Sequence, residues 1–211
     1  MLNVKAKILS IGILLVIMAL LPVVAVKCSY TDDNRKISSS TYDSVSNNKT
    51  NKNDKNKILC GLVAGEYKES YCDETIKAIA ILINTDYTVN PDSFDVNDSE
   101  TCIFEEDADN SLKENYSKIQ DIYNSVSELK ISIDKNVKYI PYSDSSNGST
   151  IPSEKYSYLC SVASPWDCYS ESYSEDVECI GVSLNGIDYL CRKGAKAEEA
   201  LKWYLPNCEI N

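Results

Sequence analysis

The chain has 211 residues, room for one ordinary domain plus appendages, and a formal net charge of −11. That balance excludes sequence-independent binding to nucleic acid or anionic lipid, both of which need clustered Lys and Arg. Histidine is absent, which removes imidazole as a general base or metal ligand, and with it the Ser-His-Asp and Cys-His schemes.

The first element in chain order is a short cationic head holding Lys5 and Lys7, followed by the uncharged, largely apolar residues 8–26. At about 1.5 Å of rise per residue, a helix over that run nearly crosses a hydrocarbon core of roughly 30 Å. Two outcomes stay open. The run is either a single-pass anchor in the cytoplasmic membrane, with Lys5 and Lys7 on the cytoplasmic side, or a signal segment cleaved near Ala25. Either one exports everything beyond residue 27, so residues 1–27 form an anchor or signal segment. Cys28 follows Lys27, where lipidation would want a small residue, so no lipid is expected there.

Residues 28–57 are rich in Ser, Asn, Asp, Lys and Thr. Such a stretch buries too little apolar surface to offset its ordering entropy, which predicts a disordered polar tether. The folded part is expected over residues 58–211. Residues 58–66 are apolar and end on Glu66. Residues 74–84 are apolar nearly all round, which predicts a central helix with Asp73 as its N-cap. Ser111 and Glu114 have capping-box spacing. Leu112, Tyr116, Ile119, Tyr123 and Val126 then follow at helical intervals. Residues 130–134 and 137–142 alternate like strands around a turn at Asp134, Lys135 and Asn136. Residues 143–157 read as a loop, and a last helix over 196–205 is stopped by Pro206. Helices and strands do not alternate regularly, so the expected class is α+β.

Eight cysteines fall in the exported part: Cys60, Cys72, Cys102, Cys160, Cys168, Cys179, Cys191 and Cys208. Export makes disulfides one reading of this even set; small buried apolar residues are the other. No Cys-x-x-Cys spacing occurs, so neither a metal site nor a cofactor is expected.

Three separated stretches carry a resemblance. The first is Gly61 to Glu66, followed by Glu74 to Ala78 and then Thr85. The second is Tyr158 to Asp167. The third is Gly181 to Gly186, continuing through Gly194 to residues 199–204. Together they resemble the SpoIID/LytB domain, shared by stage II sporulation protein D and the LytB amidase enhancer, over residues 58–211. The resemblance implies a mixed helix and strand domain of the SpoIID type. It also implies a lytic transglycosylase that cleaves stem-peptide-free peptidoglycan glycan strands, in sporulation or in cell-wall remodelling, with Glu66 as the catalytic acid. Lys77, Thr85, Ser146, Trp166 and Ser183 are the accompanying substrate-binding candidates. Lys77 also reads as a helix-surface residue, Trp166 as core, and Ser146 as part of a plain loop. The implied partners are glycan strands, the cytoplasmic membrane through residues 8–26, and a cell-wall amidase, with no nucleic acid.

The chain departs from the family pattern at five places. Ile79, Asn84, Ile103 and Leu184 stand where the family carries Gln, Arg, Gln and Gln, and Glu178 stands near a His position. These departures keep a second expectation open, a wall-binding or amidase-enhancing module on the same fold that does no cleavage itself.

Overall fold

The computed structural model describes residues 52–169 and 173–211. Both segments belong to the unit Lys49–Asn211, and the anchor or signal run and most of the tether lie outside the described residues. Helix α1 (Lys52–Gly65) begins inside the segment expected to be a tether. Leu59, Leu62 and Val63 bury one face of α1, and that burial extends the helix backward through polar residues. Lys57 pairs with Glu106 at 2.6 Å, and Asn56 accepts from the Tyr123 hydroxyl at 3.5 Å. The tether reading therefore fails for residues 52–57.

Helix α2 (Asp73–Val89) is the centre of the core, as its all-round apolarity predicted. It packs on α1, on α3 (Asn110–Val126), on α4 (Leu184–Arg192) and on α5 (Ala197–Tyr204). Ile76, Ile79, Ile81, Leu82 and Ile83 are each 0–1 % exposed, and a buried side chain of that size contributes about 1.5–3 kcal/mol relative to leaving it in water. Cys72, not Asp73, is the N-cap, and Asp73 is the first helical residue. The capping of α3 is also displaced. Asp109 accepts from the Leu112 N–H at 2.8 Å, so the Ser111–Glu114 pair lies just inside the helix instead of starting it.

Two small sheets complete the domain. Strands β1 (Ile131–Ile133) and β2 (Asn136–Val137) form a hairpin across Asp134 and Lys135, whose φ values of 53° and 65° suit a two-residue turn. The C-terminal strand β5 (Cys208–Ile210) pairs antiparallel on the other side of β1, with Ile131 opposite Ile210. The second sheet joins β3 (Tyr142–Ser143) in parallel to β4 (Val182–Ser183). The strand expected over 137–142 is thus two strands in different sheets. Gly181 makes the β3–β4 approach possible: its φ is +84°, and a Cβ there would lie 2.1 Å from the Pro141 carbonyl oxygen. Helix α4 directly follows β4, an element that short apolar spacing did not reveal. The class is α+β.

Candidate functional site

The apolar run over 58–66 becomes the last turns of α1, and Glu66 follows at its end with its N–H donated to the Leu62 carbonyl at 3.3 Å. Its carboxyl is half-buried. Tyr142, on β3, reaches across and donates its hydroxyl to Glu66 Oε1 at 3.2 Å. Burial raises the Glu66 carboxyl above the usual carboxylate range. The Tyr142 hydrogen bond opposes that shift, the nearby Asp144 reinforces it, and Lys68 opposes it. Lys68 and Asp144 form an ion pair at 2.9 Å beside the same segment, and Lys68 Nζ lies 5.5 Å from the Tyr71 ring centre.

Behind Tyr142 lies a second carboxyl. Asp86, on α2, is 1 % exposed, and its Oδ1 accepts from the Ile140 N–H at 2.7 Å. Burial pushes it up to about 8, with the Ile140 hydrogen bond the only opposing influence. Burial likewise drives the Tyr142 phenol far up, and the charges of Glu66 and Asp86 add to that. Tyr142 therefore stays a proton donor across the biological pH range. The pair Glu66–Tyr142 can hold a proton on the carboxyl and take one back, which is general acid and base chemistry on one residue. A shallow groove runs along the same segment, lined by Gly65, Tyr67, Glu69, Ile103 and Leu112, without Glu66 itself.

None of the remaining substrate-binding candidates is hydrogen-bonded to Glu66, whose side-chain partner among the described residues is Tyr142. Lys77 donates to Glu74 at 2.7 Å on the flank of α2, and Glu74 also accepts from the Ala197 N–H at 2.9 Å, so the pair ties α2 to α5. The Thr85 hydroxyl is fully buried, donating to the Ile81 carbonyl at 2.6 Å and accepting from Ile131 N–H at 3.0 Å. Ser183 caps α4, its hydroxyl accepting from the Gly186 N–H at 3.1 Å.

Ser146 belongs to a buried polar cluster. Asp167 Oδ2 accepts from the Ser146 N–H at 3.1 Å, the Ser146 hydroxyl at 2.6 Å and the Ser164 hydroxyl at 2.9 Å. Thr85, Ser146 and Ser183 are each 0 % exposed, so their hydroxyls hold the protein together and do not meet a ligand at its surface. Trp166 is half-buried and stacked on Tyr189 with ring centres 5.0 Å apart and planes 8° off parallel.

Sequence reasoning missed Tyr142, Lys68, Asp144 and Asp86. Nothing in the spacing signals Tyr142, which lies 76 positions from Glu66 and reaches it only through the β3–β4 pairing. Asp86 carried a signal: an acid continuing an all-apolar helix has to be buried with it.

The eight cysteines are all free thiols in the structure, with Cys160 and Cys168 exposed and Cys72 half-buried. Among the described residues, no three acidic or Cys side chains gather to hold a metal ion. Among those residues, too, no helix is long and apolar enough to cross a membrane; residues 8–26 lie outside them. No family model matches the chain, and no curated protein matches it.

Proposed function

We propose that the chain is a SpoIID-type peptidoglycan lytic transglycosylase, held outside the cytoplasmic membrane by residues 8–26, with Glu66 as its acid and base. The observation that carries this reading is the Glu66 carboxyl: half-buried, raised above the usual range, and hydrogen-bonded by Tyr142 alone among the described side chains. A lytic transglycosylase needs one such group, where hydrolases use two carboxylates. Protonated Glu66 gives its proton to the leaving glycosidic oxygen. The sugar's own 6-hydroxyl then closes onto the anomeric carbon, returning its proton to the Glu66 carboxylate and leaving a 1,6-anhydro end. The resemblance over residues 58–211 supplies the substrate: glycan strands stripped of stem peptides.

The test is digestion of such strands by the purified chain, with the products examined for 1,6-anhydro ends. Glu66→Gln keeps the shape and removes the exchangeable proton, so its rate should fall on the order of 10²–10⁴-fold. Exposed Glu69→Gln, the neighbouring control, should cleave at close to the wild-type rate. Equal cleavage by wild type and Glu66→Gln would sink the assignment.

The burial of Thr85, Ser146 and Ser183 favours a second reading, because it strips the site of expected sugar contacts. Under that reading the chain binds wall glycan or stimulates a cell-wall amidase without cutting. A wild type that binds stripped glycan but yields no anhydro ends selects it.

A further inference from the structure

Cys72 and Cys191 meet where α2 docks on α4. Cys72 is the N-cap of α2 and is half-buried; Cys191 is buried, three positions after Asp188 on α4. Residues three apart on a helix share a face, so Asp188 and Cys191 both front the start of α2. Asp188 Oδ1 accepts from the Cys72 N–H at 3.2 Å and from the Thr75 hydroxyl at 2.8 Å, which fixes that end of α2 against α4. The Thr75 oxygen lies 3.2 Å from the Cys72 sulfur, and the Cys191 thiol is close enough to feel both Thr75 and Cys72 electrostatically.

We propose that Cys72 and Cys191 are an oxidation site, a thiol pair that closes into a disulfide joining the start of α2 to α4 when the protein meets a small disulfide oxidant. The exchange runs in two steps. The half-buried Cys72 sulfur attacks one sulfur of an oxidised glutathione molecule, forming a mixed disulfide and releasing one glutathione. The Cys191 sulfur then attacks the Cys72 sulfur and expels the second glutathione. Two electrons pass to glutathione, and the two protons lost by the cysteines end on the two glutathione thiols. Cys72 is the entry point because it is the more exposed, whereas burial pushes the Cys191 thiol up to about 12.

The bond would have a consequence for the candidate site. Residues 66–72 carry Glu66, Lys68 and Tyr71 and run from the end of α1 to the N-cap of α2. A disulfide at Cys72 ties the far end of that segment to α4 and closes a long loop of the unfolded chain. The proposal stands whether or not Glu66 cleaves glycan.

The experiment uses the full chain, purified reduced and then held with oxidised glutathione under native conditions. Free thiols are alkylated, the protein is unfolded and digested without reductant, and linked peptides are read by mass spectrometry. The expected result is a Cys72–Cys191 peptide pair that dithiothreitol abolishes, with a melting temperature raised on the order of 5–10 °C over the reduced chain. Cys191→Ser should stop the reaction halfway, leaving Cys72 as its glutathione mixed disulfide. Cys179, which is 0 % exposed, should stay unlabelled before unfolding and so reports that the fold is intact. Recovery of Cys72 and Cys191 as alkylated thiols with Cys179 still protected overturns the proposal. So does preferential linkage of Cys72 to any other cysteine.

Discussion

Two buried carboxyls divide this domain by what surrounds them. Asp167, in the short 3-10 helix Pro165–Tyr169 before β4, has three donors converging on one oxygen and sits among Ser146, Ser164 and Tyr204. Asp86, behind the candidate site, has one backbone donor and aromatic neighbours, and its carboxyl is pushed up to about 8. Both are 1 % exposed. Equal burial therefore does not give equal chemistry. Where donors are plentiful, the carboxyl is a fastening. Where a single donor faces a buried carboxyl, desolvation wins and the proton stays. Glu66, with Tyr142 as its one side-chain donor among the described residues, shares with Asp86 an upward shift caused by burial.

The largest expected effect tests the Asp86 half of the comparison. A carboxyl whose folded pKa lies above its unfolded value binds more protons in the folded state, so stability is lost as pH rises from the unfolded value toward the folded one. For Asp86 the window runs from the ordinary 3.8 to about 8, and the loss across it is on the order of 5 kcal/mol. Asp86→Asn keeps an oxygen for the Ile140 N–H and does not titrate. Denaturant unfolding between pH 4 and pH 8.5 should show wild type losing stability relative to Asp86→Asn by that amount. Parallel curves would mean that Asp86 is not held protonated.

A somewhat smaller effect tests the other half. Asp167→Ala leaves the Ser146 N–H and two serine hydroxyls without their acceptor in a site closed to water, which should cost about 3–4 kcal/mol. A loss under 1 kcal/mol by denaturant titration would show that the cluster is held by packing alone.

Much of the frame behind this division was legible in sequence. The uninterrupted apolarity of residues 74–84 placed α2 at the centre, and Leu112, Tyr116, Ile119, Tyr123 and Val126 marked the inner face of α3. The start of α1 was not legible, because Lys55, Asn56 and Lys57 are polar and gain their helix from the burial of Leu59 and Leu62 behind them. Residues 137–142 alternate as one strand, yet the chain leaves the first sheet after Val137 and enters the second at Tyr142. Alternation reports which face is buried and is silent about the partner strand. The site was legible only at Glu66. Serines and threonines cannot be divided by spacing into those that face a ligand and those that fasten the core, and Thr85, Ser146 and Ser183 are fastenings.

The smallest expected effect falls on the contact that sets Glu66 apart from Asp167. Tyr142→Phe removes the hydroxyl given to Glu66 Oε1 and keeps the ring in its packed place. That hydrogen bond favours the charged carboxylate, so its loss should move the Glu66 pKa further up. The sign follows as for Asp86: the folded state would hold its proton to higher pH, and stability would fall over a window reaching further up than in wild type. The titration is read by carbon NMR of labelled glutamate carboxyls, with the Glu66 signal assigned through its loss in Glu66→Gln. Activity, where present, should keep its acid limb and extend its alkaline limb, because the proton to be donated is retained longer. A merely structural tyrosine would lower activity evenly at all pH values and leave the Glu66 signal where it was. A downward shift would show that some other donor takes over the carboxylate, which would place Glu66 with Asp167 among the fastenings.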